Sequence, residues 1–501
     1  MTETLLPRLS EFVAAQMGLH FPPERWRDLE RGVISAAREF GFADTEAFAQ
    51  WLLTSPLTRN RVEVLASYLT VGETYFFREK RAFELLEEGI LPELIRSRKG
   101  TEQRLRIWSA GCATGEEPYS IAILLHKLIP DLERWNIALL ATDINPRFLQ
   151  RASAGEYGEW SFRDSPSWLR ERYFKKTEGG RFRIAPFIQK LVSFSHLNLA
   201  EDAYPALTNE TNAMDLIFCR NVLMYFVPER QKKVADNFHR SMVEGGWLIV
   251  SPSEASHVLF SNFMTVNFPS AILYRKVCDK TMSSRALPFC AREEPTSPLP
   301  AVTLPADEPK PLPPVPEFGG SLASHAEEVQ TQEVRPNSYQ EALTLYGLGH
   351  YADAAEKLAL WLSENHKDSN AMNLMARLYA NQGQLSQALE WSEKALVADK
   401  LNTACHYLRA MILQEQAATE EAIGSLKRTL YLDPRLVMAH YSLGNLASRQ
   451  GKVREAEKHL HSALSLLRLC RPEDNVPEAE GITAGRLMEI IESTLYRDTF
   501  A

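Results

Sequence analysis

Four alanines, Ala354, Ala388, Ala422 and Ala456, recur every 34 residues in a chain of 501. Small residues Ala342, Ala376, Ala410 and Gly444 keep the same interval, as do Leu362, Leu396, Leu430 and Leu464, and the turn positions Gly349, Gly383 and Gly451. Apolar residues within each interval fall at helical spacing, so one period holds two helices, and the small residues mark where those helices must approach closely. A unit of this size cannot bury its own apolar face, and it becomes stable by stacking on its neighbours. A plain helical bundle with accidental periodicity would not hold four kinds of position in one register. The final part of the chain is therefore committed to an all-helical superhelix.

A period of 34 residues with this placement of small residues resembles tetratricopeptide repeats, and Asp433-Pro434 falls where such a repeat ends. The resemblance implies a concave surface for a protein partner, which the repeats do not identify. Ahead of them, ten of the 28 prolines lie between Pro288 and Pro316, among Ser, Thr, Glu and Ala, with few large apolar residues. That composition favours an extended, solvated linker. The expected divisions are an N-terminal helical domain over 1–100, an α/β domain over 101–280, a proline-rich linker over 281–336, repeats over 337–470 and a helical tail over 471–501.

Within the second division, Leu105–Ala110, Ile137–Thr142, Leu191–Phe194, Leu216–Cys219 and Trp247–Val250 read as short buried strands, most of them separated by helical stretches, the pattern of a parallel sheet. Phe263–Val266 and Ala271–Tyr274 would add an antiparallel pair. Arg172–Ile184 alternates around Gly179-Gly180, which predicts a small inserted hairpin carrying Arg172, Lys175, Lys176, Arg181 and Arg183.

Composition narrows the function. With 64 acidic against 56 basic side chains and a net charge of −8, there is no basic excess to hold nucleic acid or anionic lipid. The start, Met1-Thr-Glu-Thr-Leu-Leu-Pro7, lacks the pattern of a signal peptide, and no apolar run approaches the roughly 20 residues that span a bilayer. A cytoplasmic protein with no direct membrane insertion is expected. The cysteines, at 112, 219, 278, 290, 405 and 470, show no CxxC or Cys/His spacing, so no metal site or disulfide framework is predicted, and most should be buried apolar residues.

The first strand runs through Gly111-Cys-Ala-Thr-Gly115 into a helix beginning Glu116-Glu-Pro-Tyr. A nicotinamide-type dinucleotide fold is the obvious rival, since Asp143 ends the second strand where a ribose-binding acid would sit. Charge separates the two. A pyrophosphate at that helix start would be repelled by Glu116 and Glu117, whereas a cofactor bringing positive charge, such as S-adenosylmethionine with its sulfonium and α-ammonium groups, would be attracted. The glutamates could instead serve only the helix dipole, and Asp143 could be a plain cap before Asn145-Pro146.

Thr74-Tyr-Phe-Phe-Arg-Glu79, Gly115-Glu-Glu-Pro-Tyr-Ser120, Ala141-Thr-Asp-Ile144 and Phe218-Cys-Arg-Asn-Val-Leu-Met-Tyr-Phe226 together closely resemble the CheR-type chemoreceptor glutamate methyltransferases, over about residues 10–278. The resemblance implies an N-terminal helical domain, a class I (Rossmann-like) methyltransferase domain and a small β-subdomain near 172–190. It implies S-adenosyl-L-methionine as cofactor, with Thr74, Arg78, Glu117, Asp143, Asn198, Leu199, Arg220 and Asn221 as the binding set. Arg78 would grip the methionine carboxylate, Glu117 would accept from the α-ammonium, and Asp143 would accept from both ribose hydroxyls. Asn198 and Leu199 would hold the adenine edge and face. Tyr225, nearest the reacting methyl, and Arg78 are the catalytic candidates. One departure is Gly72, where the family often has Asn.

The implied reaction is attack of a glutamate oxygen on the sulfonium methyl. A carboxylate is ionised at neutral pH, so no general base is needed, and His126, His196 and His239 are expected to be packing or surface residues. The implied substrate is the cytoplasmic helical domain of a chemoreceptor. The short turn of the inserted hairpin predicts no use of a receptor tether. The alternative is a cofactor-binding scaffold or sensor whose repeats do the work. A small-molecule or RNA methyltransferase is disfavoured by the absence of a basic excess and by the four-motif match.

Overall fold

The computed structural model describes residues 5–55, 58–100, 103–201, 204–269, 271–277, 338–479 and 482–498. The proline-rich stretch expected over 281–336 lies outside the described residues, as do Cys278 and Cys290. Of the described cysteines, Cys112, Cys219 and Cys405 are buried, in line with the expectation for most of them, and Cys470 is exposed.

Six helices come first: α1 (Leu5–Met17), α2 (Trp26–Glu39), α3 (Thr45–Thr54), α4 (Arg59–Leu69), α5 (Lys80–Leu85) and α6 (Leu91–Arg98). Then follow β1 (Arg104–Ala110), α7 (Glu116–Leu128), β2 (Asn136–Asp143), α8 (Pro146–Ala154), β3 (Glu156–Tyr157), α9 (Ser167–Tyr173), β4 (Phe174–Lys176), β5 (Phe182–Ile184), α10 (Pro186–Gln189) and β6 (Val192–His196). The α/β part closes with β7 (Met214–Cys219), α11 (Pro228–Ser241), β8 (Met242–Val250), β9 (Met264–Phe268) and β10 (Ala271–Arg275).

Among the described residues the main sheet has seven strands in the order β6-β2-β1-β7-β8-β10-β9. The first five are parallel and the last pair antiparallel, as the apolar runs predicted. Strand β1 is buried along its whole length. Its alternate residues still sort to opposite faces: Leu105 and Ile107 join the core under α7, while Trp108 and Ala110 join the core shared with α1–α4 and α11. Helices α1–α4 thus pack against one face of the sheet, whereas α5 and α6 join α7 on the other. The expected hairpin forms from β4 and β5, and β3 pairs with β5 to make a third strand that the alternation did not reveal, because two residues carry no period.

The repeats are four helix pairs among the described residues: α12 (Ser338–Leu348) with α13 (Tyr351–Glu364), α14 (Ser369–Asn381) with α15 (Leu385–Ala398), α16 (Thr403–Glu415) with α17 (Thr419–Leu432), and α18 (Val437–Arg449) with α19 (Val453–Leu467). These are tetratricopeptide repeats. Ala354, Ala388, Ala422 and Ala456 are all buried at helix contacts. At Gly444 a Cβ would stand 2.8 Å from Leu460, so the glycine allows the close approach. Gly349, Gly383 and Gly451 take φ of +79°, +75° and +73°, and the matching position of the third repeat is Ala417, with φ +59°. A final helix, α20 (Ala484–Asp498), packs on α19.

The repeats dock on the amino-terminal ends of the parallel strands. Glu415, at the end of α16, accepts from Arg104 (2.7 Å) and Asn212 (3.0 Å), and its backbone carbonyl accepts from Asn136 (2.8 Å). Arg106 stands 3.6 Å from the same carboxylate. Leu207 lies in one apolar cluster with Ala376, Ala380, Leu408 and Ile412.

Candidate functional site

A cleft of about 1060 Å³ opens at the carboxyl ends of β1, β2, β6 and β7 and is roofed by the N-terminal helices and the 69–78 segment. Thr74, Arg78, Glu117, Asp143, Asn198, Leu199, Arg220, Asn221 and Tyr225 all line it. Parallel sheets place ligands at this edge because the loops leaving the strands diverge there.

The turn after β1 supplies the floor. Gly111 has φ +80°, and a Cβ there would lie 2.3 Å from Val222, so only glycine fits. The backbone N–H groups of Gly111 and Cys112 both donate to the Thr142 carbonyl, tying the turn to β2. Asp143 ends β2, accepting from Ala113 N (2.9 Å) and Asn145 N (2.8 Å). Burial pushes its carboxyl up to about 6 despite those donors. Asn145 itself caps α8 through Arg147 N and Phe148 N.

The two glutamates of α7 part company. Glu117 turns to the cleft, where Ser109 donates to it (2.8 Å) and Arg220 pairs with it (3.2 Å). Burial raises its carboxyl above the ordinary value against the pull of Arg220. Glu116 turns away, accepting from Thr114 (2.6 Å) and Ser161 (2.9 Å). It belongs to the packing of the β3–α9 region and does not line the cleft, so the expected pair of carboxylates at the helix start reduces to one.

Arg220 is nearly inaccessible: it pairs with Glu79 (3.0 Å) and Glu117 and donates to the Arg78 carbonyl (2.6 Å). It joins the end of β7, α7 and the Arg78 segment, which is the carboxylate-pairing role that a strand-end arginine readily takes. Arg78 donates to the Glu73 carbonyl. Asn198 is buried with its amide engaged: Oδ1 accepts from Ala200 N (3.0 Å), and Nδ2 donates to Gln16 O and Glu201 (3.3 Å each). Leu197, Leu199, Ile144 and Phe148 supply apolar walls. At Gly72 a Cβ would meet the Phe148 ring at 2.5 Å, so the aromatic ring takes the space that a longer side chain would need.

Three contributors were not anticipated. Arg25 stacks over Tyr225, 5.1 Å from the ring centre. Glu79 follows directly on Arg78 in a motif already noted. Glu254 accepts from Asn221 N and Val222 N (2.7 Å each) and from Met224 N (3.2 Å), holding Asn221 at φ +59°. The legible signal for Glu254 was its capping box with Ser251. Cys112 lines the cleft as a thiol, since burial first and then Asp143 and Glu117 hold its pKa well above the ordinary value. His126 packs on Tyr173 and Phe187. His196 lies by the Ile144 carbonyl, and burial depresses His239 to about 3. None of these three histidines lines the cleft.

In the inserted subdomain, Arg181 donates to the Glu156 carbonyl and Arg183 pairs with the Glu156 carboxylate, so part of the basic cluster is spent internally. Among the described residues there is no cluster of side chains able to hold a metal ion, and no helix long and apolar enough to cross a membrane.

Sheet order, the glycine turn and an acid at the end of β2 define a class I, S-adenosylmethionine-dependent methyltransferase. The donor set fits such a cofactor, with carboxylates for its cationic groups, an arginine for a carboxylate and apolar walls for a base. Residues 72–271 match the family "CheR methyltransferase, SAM binding domain". The chain is 30% identical over 256 residues to a chemotaxis protein methyltransferase of Borreliella burgdorferi, covering 51% of this chain and 89% of that one. It is 36% identical over 222 residues to chemotaxis protein methyltransferase 1 of Pseudomonas aeruginosa, covering 42% and 77%. It belongs to the CheR family of chemotaxis methyltransferases. Similar solved structures include MamA of Desulfovibrio magneticus RS-1 (22% identity, 26% of this chain and 75% of that one, TM-score 0.25) and a thermophilic tetratricopeptide-repeat protein of Thermus thermophilus (20% identity, 32% and 81%, TM-score 0.26).

Proposed function

We propose that the chain methylates glutamate side chains on the cytoplasmic helical region of a chemoreceptor, working in the cytoplasm, with its repeats recruiting or regulating through a further protein. The carrying observation is that Glu117, Asp143 and Arg78 meet in one cleft at the strand ends, inside a chain of this family. S-adenosylmethionine supplies a methyl group on a sulfonium; transfer to a carboxylate oxygen leaves a glutamate methyl ester and the neutral thioether.

Each residue then has a defined task. Glu117, oriented by Ser109 and Arg220, accepts from the α-ammonium, and Arg78 binds the α-carboxylate through its guanidinium fork. Asp143 is held by Ala113 N and Asn145 N with acceptor capacity left for ribose hydroxyls. Thr74 adds a hydroxyl from the roof. With both amide hydrogens of Asn198 engaged, that residue shapes the adenine wall, and Leu199 covers the base face. Arg220 acts through Glu117 and is a positioning residue. Asn221, fixed by Glu254, sets the loop that presents Tyr225 toward the incoming substrate. No proton has to move, so alignment and exclusion of water account for the rate.

Incubation with methyl-labelled cofactor and a receptor-containing membrane fraction should label the receptor as a base-labile ester. A base-stable product, or label on another component alone, would point to a different acceptor. Arg78→Ala and Asp143→Ala should each lose cofactor binding by calorimetry.

A further inference from the structure

The chain after α19 returns across the repeats. Val476-Pro-Glu-Ala479 forms a tight turn in which Ala479 N donates to the Val476 carbonyl (3.2 Å). Glu478 takes φ +64° at the turn position that favours glycine or asparagine, an unfavourable conformation for a residue with a Cβ. Its side chain gives that placement a purpose. Glu478 pairs with Arg377 on α14, and both side chains are less than one-fifth exposed. Val476 and Ala479 are buried in one apolar cluster with Tyr407, Met411 and Leu443 from α16 and α18. The turn therefore sits on the first helices of the pairs. It does not fill the space there: an open pocket remains beside Glu478, bounded by Arg240, Tyr346, Arg377 and Asn381.

We propose that the Val476–Ala479 turn is an internal ligand of the repeat groove, and that the groove's partner is an acidic peptide segment whose carboxylate displaces Glu478 from Arg377 and whose neighbouring residues enter the adjoining pocket. Two features make the internal ligand displaceable. It carries an unfavourable backbone conformation at its charged residue, and it leaves the pocket unfilled. What holds it in place is its tether, which gives it an effective concentration on the order of millimolar.

The test uses the full chain and a fluorescent peptide of residues 471–484. Binding to the wild-type chain should be weak, because the tethered copy competes. Glu478→Ala should bind the probe at least tenfold more tightly, and Arg377→Glu should lose it. A probe with the residue corresponding to Glu478 changed to arginine should bind Arg377→Glu instead. The double variant Arg377→Glu with Glu478→Arg should exclude both probes, as a closed, folded chain does. Equal affinity of the wild type and Glu478→Ala, absence of binding to Glu478→Ala at millimolar probe, or binding indifferent to residue 377 would each overturn the proposal. None of these readouts involves methyl transfer, so they stand apart from the proposed activity.

Discussion

Lowering the pH should weaken cofactor binding through Asp143 before the fold is lost. This carboxyl is buried at the end of β2, and its pKa is raised from the ordinary 3.8 to about 6. The shift of roughly two units corresponds to about 3 kcal/mol by which the ligand-free site disfavours the ionised form. The sign follows. A carboxyl raised in the folded state contributes stability that is present below the unfolded value near 3.8 and lost as pH rises through about 6, so at neutral pH the empty site carries the cost of an ionised, buried acid. Ribose hydroxyls donating to that acid would offset the cost, and binding should therefore favour the ionised form. If only the ionised form binds, the apparent Kd rises about elevenfold at pH 5 and by only about a tenth at pH 7. Titration calorimetry between pH 5.0 and 7.5 measures this directly. Asp143→Asn should bind weakly at pH 7.5 and lose most of the pH dependence, the remainder coming from Glu117, whose carboxyl is also raised by burial. A wild-type Kd that is flat across that range, or a slope unchanged in Asp143→Asn, would refute the assignment.

Other perturbations test other parts. Gly111→Ala should destabilise the protein and abolish cofactor binding, since its Cβ would stand 2.3 Å from Val222 in a positive-φ turn; melting temperature and calorimetry check both. Glu415→Ala leaves Arg104 and Arg106 without their shared carboxylate at a buried interface, a loss on the order of 3 kcal/mol. Differential scanning calorimetry should then show the repeats melting apart from the catalytic part. Ala417→Gly should stabilise the repeats by up to about 1 kcal/mol, because the native alanine takes φ +59° where the other repeats have glycine; a lower denaturant midpoint would contradict this.

Much of the site was legible because methyltransferase chemistry concentrates its polar groups at strand ends, and strands buried on both faces declare themselves as apolar runs. Asp143, Arg220 and the glycine turn each follow such a run directly. What was not legible were the directions of side chains. Glu116 and Glu117 are neighbours in sequence, but α7 turns about 100° per residue, so one faces the cleft and the other the β3–α9 packing. Arg220 meets two carboxylates and a backbone carbonyl from two separate segments, a convergence that no spacing encodes. Glu254 lies more than 30 residues beyond the turn it holds.

By itself, the sequence determined the kinds of unit in this chain. A 34-residue register is local and self-consistent, and each parallel strand carries its own apolar signature, so neither depends on distant residues to be read. Tertiary structure alone decided how those units meet. The repeats grip the amino-terminal ends of the strands and leave the cofactor cleft at the opposite ends uncovered by them, because Glu415 finds Arg104, Arg106 and Asn212 there. The chain's own acidic turn reaches Arg377 for the same reason. Contacts between residues roughly 100 to 300 positions apart rest on charge and shape complementarity that exists only after both surfaces have formed.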